Sequence, residues 1–207
     1  MSELSIFIAV AALVVVAGHW QRRRHALRHQ LIDELPLPSD VIRAVREQYP
    51  QLGDAEVKQV LDGLRSYFHL CLNGQRQLLA MPSQAVDVAW HAFILDTRAY
   101  TQFCHKTLGH YLHHVPASRM AKAPHADESL RRCWRLACKR EELDPQRPSR
   151  LPLLFAIDVT LAIANGFHYS LDCTRPGADG HCASHIGCSS CGGGDGGDGG
   201  GCGGGGD

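Results

Sequence analysis

Hydrophobic side chains are arranged in three different ways along the chain. Residues 4–18 form a nearly continuous apolar run, which as a helix approaches the length needed to cross a bilayer. Between residues 39 and 175, apolar positions recur every three or four residues, as in amphipathic helices. Beyond residue 175 this periodicity gives way to a Cys/His segment and a glycine-rich stretch. The pattern predicts an all-α chain: a single N-terminal transmembrane helix, a small helical bundle and a disordered Gly/Cys-rich C-terminal tail.

Proline, glycine and capping residues divide the bundle region into successive helices. Ser83 is the predicted N-cap of one helix, and Asp96 or Thr97 caps the next, which ends at Gly109. The other predicted helices cover residues 39–49, 54–72 and 126–143. Residues 151–166 are apolar and rich in β-branched side chains, which leaves helix and strand both open for this stretch.

Shifts in composition divide the chain into four parts. Residues 1–20 are predicted to be a transmembrane anchor, and residues 21–38 a basic, Pro-rich linker that ends in LPLPSD. Residues 39–175 form the predicted helical domain. Residues 176–207 comprise the Cys/His segment and the Gly-rich disordered tail, where the density of glycine prevents formation of a packed core.

Arginines follow the first apolar run rather than precede it. Trp20 lies at the end of the run and Arg22, Arg23 and Arg24 come directly after, which is typical of an uncleaved anchor whose basic flank stays in the cytoplasm. We therefore expect a single-pass membrane protein that contacts lipid through residues 4–20, with the bulk of the chain cytoplasmic. The alternatives are a buried core helix and a cleaved signal peptide, which would carry its positive charge before the apolar core.

Composition narrows the classes of function. The chain has 21 Lys and Arg residues against 21 Asp and Glu residues, so it lacks the basic excess of a dedicated nucleic-acid binder. Nine cysteines, an odd number, in a cytoplasmic domain are more consistent with thiols or metal ligands than with disulfides. Thirteen histidines add further donors. No nucleotide cofactor is expected, because the glycine-rich stretch follows no strand and opens no helix.

The densest group of potential metal ligands lies in the middle of the chain. Asp87 and His91 are four residues apart, so one helix places both on the same face. Cys104 on the next helix, and His113 or His114 beyond its end, add donors of the types that bind zinc or iron. The alternative is a structural hydrogen-bond network, in which Asp87 simply holds the His91 ring.

The order of the motifs in this region supports a family resemblance. DxxWH at residues 87–91, YxxFC at 100–104 and HHxP at 113–116 resemble the glycine-rich domain-containing protein family of bacteria and plants. The resemblance covers residues 40–170 and implies no established reaction, because members of that family are uncharacterised. Phe93 stands where some relatives have a second histidine, in a WHxH form, which argues against a metal site that needs both histidines.

A second candidate metal site lies before the glycine tail. Cys182, His185, Cys188 and Cys191 follow one another at intervals of three. Thiolates at this spacing can share one zinc ion, although the spacing is tighter than in ordinary zinc-finger loops. The alternatives are a flexible tail with incidental cysteines and, less favoured, a redox role for Cys188 and Cys191, which no βαβ pattern surrounds.

These features predict a membrane-anchored binding or scaffold module with an Asp/His/Cys metal site, with another protein as a further expected partner. The alternative function is a metal-dependent enzyme of unknown reaction that uses Asp87, His91 and His114 around an open coordination position. Neither a nucleophile elbow nor a Ser/His/Asp arrangement is evident, so the sequence leaves open whether the protein is an enzyme.

Overall fold

The computed structural model describes residues 3–115, 126–171, 181–182 and 186. Within these ranges most of the chain is helical, as the all-α prediction requires, and strand is confined to two short parallel segments. The helices are α1 (Glu3–Glu34), α2 (Ser39–Gln48), α3 (Asp54–Asn73), α4 (Gln84–Leu95), α5 (Thr97–Thr107), α6 (Ala126–Arg140) and α7 (Leu153–Thr160). The strands are β1 (Tyr169–Ser170) and β2 (His181–Cys182).

Local capping determines where the central helices begin and end. The Ser83 hydroxyl accepts a hydrogen bond from the Val86 amide at 3.1 Å, and the Asp96 carboxylate accepts one from the Ala99 amide at 3.1 Å. Gly109 follows α5 with φ +79°, in the left-handed region that favours glycine. Residues 151–166, for which the sequence pattern allowed either helix or strand, are helical over Leu153–Thr160, the range of α7.

α1 extends well past the apolar run. The helix continues through the predicted linker to Glu34, and Ile32 near its end is completely buried. The Arg65 guanidinium of α3 donates hydrogen bonds to the carbonyl oxygens of Ile32 and Leu35, which fixes this end of α1 on the bundle. Residues 21–34 therefore continue α1 onto the domain, where Ile32 joins the hydrophobic core and α1 contacts α3 and α5.

The first part of α1 is long and apolar enough to cross a membrane by length and composition. Its apolar side chains, such as Phe7, Leu13 and Val15, are exposed rather than packed against the described part of the domain. A signal sequence near an N-terminus meets the same criterion of length and composition.

α3 lies at the centre of the bundle and contacts α1, α2, α4, α6 and α7. At Gly63 a Cβ atom would lie 2.8 Å from Cγ2 of Val86, so the glycine lets α3 and α4 approach closely. Nearby, aromatic rings join α3, α4 and α5, with centroids 4.7–6.2 Å apart, through Phe68, Phe93 and Phe103. This packing sets the position of α4 and α5, which carry most of the candidate metal ligands.

A buried carboxylate ties α7 to the start of α4. Asp158 is only 2% exposed. It accepts hydrogen bonds from the Ser83 hydroxyl at 2.7 Å and from the amides of Gln84, Ala85 and Phe167 at 2.7, 3.2 and 2.9 Å. Amides at a helix N-terminus carry partial positive charge, so the carboxylate stabilises the first turn of α4 by both charge and hydrogen bonding.

A second polar contact joins α1 to α3 through a buried histidine. The side chain of His69 lies with Nδ1 2.6 Å from Nδ1 of His29 and Nε2 2.8 Å from Oδ1 of Asp33. Burial lowers the pKa of His69, and the nearby Arg140 lowers it further, while the hydrogen bond to Asp33 opposes both. The charged and titratable groups around it are His29 and Asp33 of α1, Asp62 and Arg65 of α3, Arg140 of α6, and Glu141.

We expect the His69 contact to make the protein less stable in mild acid. Since the pKa of His69 is lower in the folded chain than in the unfolded chain, acidification below about pH 6.5 drives proton uptake by the unfolded state. The melting temperature of the full chain should therefore fall between pH 7.5 and 5.5, and the fall should be smaller in the His69→Gln variant. An identical pH dependence in both proteins would show that His69 does not contribute.

Candidate metal centre

Two parts of the chain form the candidate site. Asp87 lies in the first turn of α4 and His91 lies one turn later, so both project from the same helix face. His114 belongs to the extended segment that follows the turn at Gly109, and this segment returns across α4. The site is therefore built from residues that are close on one helix and a third residue brought to them by the chain path after α5.

The three side chains converge on one point. Nε2 of His114 lies 2.9 Å from Oδ1 of Asp87, and Nδ1 of His91 lies 3.2 Å from Oδ2. One donor atom from each of the three residues lies within 4.8 Å of the others. Oxygen and nitrogen atoms bound to one zinc at about 2.0–2.1 Å lie about 3 Å apart or slightly more. The three side chains are therefore close enough to share a single ion once bonds to the metal replace their present hydrogen bonds to Asp87.

A backbone contact determines which nitrogen of His91 is available. Nδ1 of His91 lies 2.8 Å from the carbonyl oxygen of Asp87. A carbonyl oxygen only accepts hydrogen bonds, so Nδ1 carries the proton and Nε2 holds the lone pair; a metal would bind His91 at Nε2, and the 3.2 Å contact of Nδ1 with the Asp87 carboxylate is a hydrogen bond rather than part of the ligand geometry. Histidine ligands of protein metal sites are commonly oriented in this way, by a hydrogen bond from the nitrogen that does not bind the metal.

The site is closed on one side and open on the other. The His114 ring packs edge-on against Trp90, with centroids 4.5 Å apart, and its side chain is 11% exposed. The Asp87 side chain is 18% exposed, whereas that of His91 is 51% exposed. Solvent or a small ligand can therefore approach from the His91 side, while the aromatic ring of Trp90 backs the other.

The Tyr100 hydroxyl holds the segment that carries His114. It donates a hydrogen bond to the carbonyl oxygen of Leu112 at 2.7 Å and accepts one from Nε1 of Trp90 at 3.0 Å. Tyr100 is completely buried, and burial raises its pKa, so the hydroxyl remains protonated as a donor. The sequence gives no indication of this role for Tyr100 beyond its place in the YxxFC motif, because its polar partners lie on other segments and leave no local signal.

The other two ligands predicted for this site lie elsewhere. Cys104 is completely buried on α5 and does not join the group of three, and burial raises the pKa of its thiol above the ordinary value. Such a thiol resists the deprotonation that metal binding requires. His113 is exposed and its ring packs against Tyr111, with centroids 4.9 Å apart. Phe93 lies in the aromatic core and supplies no donor.

One buried polar atom near the site has no hydrogen-bond partner in the described part of the chain. It is the hydroxyl of Tyr49, the residue that follows α2. Burial raises the pKa of Tyr49, and the carboxylates of Asp158 and Asp87 add to this effect. The hydroxyl therefore stays neutral, and no feature of the sequence pattern indicates its proximity to the site.

The second candidate metal site falls almost entirely outside the described residues. Of its four residues, the described part of the chain includes only Cys182, in β2. His185, Cys188 and Cys191 lie outside the described residues. The predicted disordered tail also lies outside them, so both remain predictions from the sequence.

Comparison with known proteins places the domain in a family of sequences. Residues 27–189 match the model of a family described as UCP032817-like. No curated protein matches the chain, and no solved structure matches it. The matched stretch contains Asp87, His91 and His114 and begins after the apolar run. The resemblance to the glycine-rich domain-containing family is not among these matches and remains a prediction.

Proposed function

The chain belongs to the UCP032817-like family, and we propose that it is a membrane-anchored binding module that holds one metal ion through Asp87, His91 and His114. The observation that carries the proposal is the convergence of one carboxylate and two imidazoles within 4.8 Å. Two nitrogen donors and one carboxylate suit zinc or ferrous iron, whereas calcium and magnesium prefer sites made of oxygen atoms.

The openness of the site favours a second candidate function. Only three protein donors converge in the described residues, and the His91 side chain is half exposed. Structural zinc sites are closed by four protein ligands, whereas catalytic sites keep a position for water or substrate. A metal-dependent enzyme that uses Asp87, His91 and His114 is therefore the alternative, with the bound metal acting as a Lewis acid on a substrate of unknown class.

Removal of the metal tests whether it shapes the fold. Contacts of Tyr100 with Trp90 and Leu112 position the site without involving its three donors. We therefore expect the full chain with Cys182→Ser, Cys188→Ser and Cys191→Ser, purified in a neutral detergent, to keep its helical circular dichroism after chelation and to rebind about one zinc ion. Cooperative unfolding on chelation would instead indicate a structural metal, which can contribute on the order of 10 kcal/mol to folding.

Membrane attachment is the other part of the proposal. It is supported by the exposed apolar run of α1 and by Trp20 at its end, over which the Arg24 guanidinium lies 4.5 Å from the ring centre. If Arg22, Arg23 and Arg24 lie on the cytoplasmic side of the membrane, the domain that follows them also lies in the cytoplasm. A reporter fused to the C-terminus tests this orientation, and labelling of the tail cysteines by an impermeant reagent in intact cells would contradict it.

Loss of the Tyr100 hydroxyl is expected to weaken metal binding without removing a ligand. In the Tyr100→Phe variant the segment that carries His114 loses its hydrogen bond to α5. We expect zinc affinity to fall about tenfold, as is usual when a group that orients a ligand is removed. Tyr111→Phe is the matched control, because the Tyr111 ring packs on Tyr100 but its hydroxyl bonds no described residue. Isothermal titration calorimetry on both variants measures the difference, and equal affinities would contradict the positioning role.

A further inference from the structure

A cavity separate from the Asp87 site lies where α1 meets the domain. It has a volume of about 710 Å³ and is bounded by α1, the end of α3, the turn after α5, and α6. Four permanent cations line it, Arg28, Arg76, Lys139 and Arg140, together with His25 and His110, and no carboxylate does. The volume lies within the range typical of pockets for small molecules.

The four cations of this cavity lack the partners that other arginines of the protein have. Ion pairs with carboxylates are formed by five other arginines, Arg43, Arg46, Arg132, Arg135 and Arg150. No described carboxylate pairs with Arg28, Arg76, Lys139 or Arg140. Four like charges around one concavity repel each other and raise the local positive potential, so the cavity attracts an anion.

The backbone at one rim of the cavity is held in an unfavourable conformation. Gln75 and Arg76 come after Gly74, the residue that follows α3, and their φ angles are +50° and +67°. Two successive non-glycine residues in the left-handed region are uncommon and cost free energy. Such strain occurs often at ligand sites, where the surrounding structure maintains it. Here the turn keeps the Arg76 side chain in the cavity lining.

A glycine makes room for a second arginine. At Gly109, where φ is +79°, a Cβ atom would lie 2.3 Å from Nη2 of Arg28. The absence of a side chain therefore lets the Arg28 guanidinium lie directly against the turn after α5. This contact fixes a cation of α1 in the wall of the cavity, where the three other permanent cations come from the domain.

We propose that this cavity binds a phosphate group. The planar guanidinium offers paired N–H donors that match phosphate oxygens, and lysine adds a point charge, so the lining fits a phosphate dianion or diester. Arg28 lies eight residues after Trp20, about 12 Å along the helix, so if residues 4–20 span the bilayer its backbone stands just outside the headgroup layer, which is about 5–8 Å thick, and its long side chain can reach back toward that layer. The phosphate can thus belong to a lipid headgroup or to a soluble compound. The proposal does not depend on the metal site.

Titration calorimetry with two probes tests this proposal and separates the two sources. The full chain in a neutral detergent is titrated with inorganic pyrophosphate and, separately, with dihexanoyl phosphatidic acid. Binding of pyrophosphate alone indicates a soluble phosphate compound, and binding of the short-chain lipid alone indicates a headgroup. Binding of both supports the shared chemistry, and affinity should weaken as salt concentration rises. Failure of both probes to bind would overturn the proposal.

Cavity variants show whether the binding occurs at this place. Arg28→Gln, Arg76→Gln and Arg140→Gln should each lower the affinity about tenfold, since each removes one charged contact with the phosphate. Arg147→Gln is the control, because Arg147 is exposed and does not line the cavity. Circular dichroism establishes that all four variants are folded. An affinity that is the same in the cavity variants and the control would overturn the proposal.

Discussion

Replacement of His114 by alanine is expected to weaken zinc binding about a hundredfold or more, while replacement of the adjacent His113 leaves it unchanged. Loss of a group that merely orients a ligand costs about 10–100-fold in metal affinity, so loss of one of three ligands should cost at least as much. His114 lies with Nε2 2.9 Å from the Asp87 carboxylate. His113, one residue earlier, is exposed and packs on Tyr111.

His113→Ala is a matched control for His114→Ala, because the two variants remove the same side chain at neighbouring positions. Zinc affinity is measured by calorimetry on full chains without a polyhistidine tag. The tail donors are first removed by Cys182→Ser, Cys188→Ser and Cys191→Ser, and loss of a separate binding event at this stage would reveal a tail site. Asp87→Asn, which keeps the shape of the side chain but removes its charge, should resemble His114→Ala. Equal affinities of His113→Ala and His114→Ala would contradict the assignment.

Replacement of Asp158 by alanine is expected to cost about 3–5 kcal/mol of unfolding free energy. The change removes the acceptor of four hydrogen bonds, to the Ser83 hydroxyl and to three backbone amides. Each buried donor left without a partner costs about 1–3 kcal/mol, and part of the loss is recovered where water reaches Gln84 and Phe167. The variant also loses a negative charge at the N-terminus of α4.

Asp96→Ala provides the matched control for this prediction. Asp96 also caps a helix, but its carboxylate accepts only the Ala99 amide and is partly exposed. Loss of an ordinary N-cap costs about 1 kcal/mol. The two variants are compared by denaturant unfolding in the same detergent. If Asp158→Ala is no more destabilised than Asp96→Ala, the carboxylate does not hold α7 to α4 as described.

The helices of the domain were predictable because their signals are local. Ser83 and Asp96 cap the helices that they precede, and Gly109 follows α5 in the left-handed conformation. Spacing of four residues likewise placed Asp87 and His91 on one face of α4. The continuation of α1 to Glu34 was harder to predict, since the basic composition of residues 21–34 concealed the apolar surface that buries Ile32 in the core.

The remaining features depend on the path of the chain between distant segments. His114 rather than His113 reaches Asp87, because the hydrogen bond from Tyr100 to Leu112 fixes the path of this segment. Residue spacing alone does not predict that hydrogen bond. Asp158 meets Ser83 across 75 residues of sequence. Asp158 is the single carboxylate of an apolar stretch, and nothing in the sequence near it indicates that Ser83 is its partner. The cationic cavity likewise needs residues from three helices and two turns, so composition and periodicity could not reveal it.

The most direct test of the metal site is the metal content of the isolated protein. The chain with serine in place of Cys182, Cys188 and Cys191 is compared with the same chain carrying Asp87→Ala, His91→Ala and His114→Ala, both purified from medium that contains zinc and iron. Inductively coupled plasma mass spectrometry should find about one zinc or iron ion per chain in the first protein and almost none in the second. Equal metal content in the two proteins, or metal in neither, would contradict the assignment of Asp87, His91 and His114 as a metal centre.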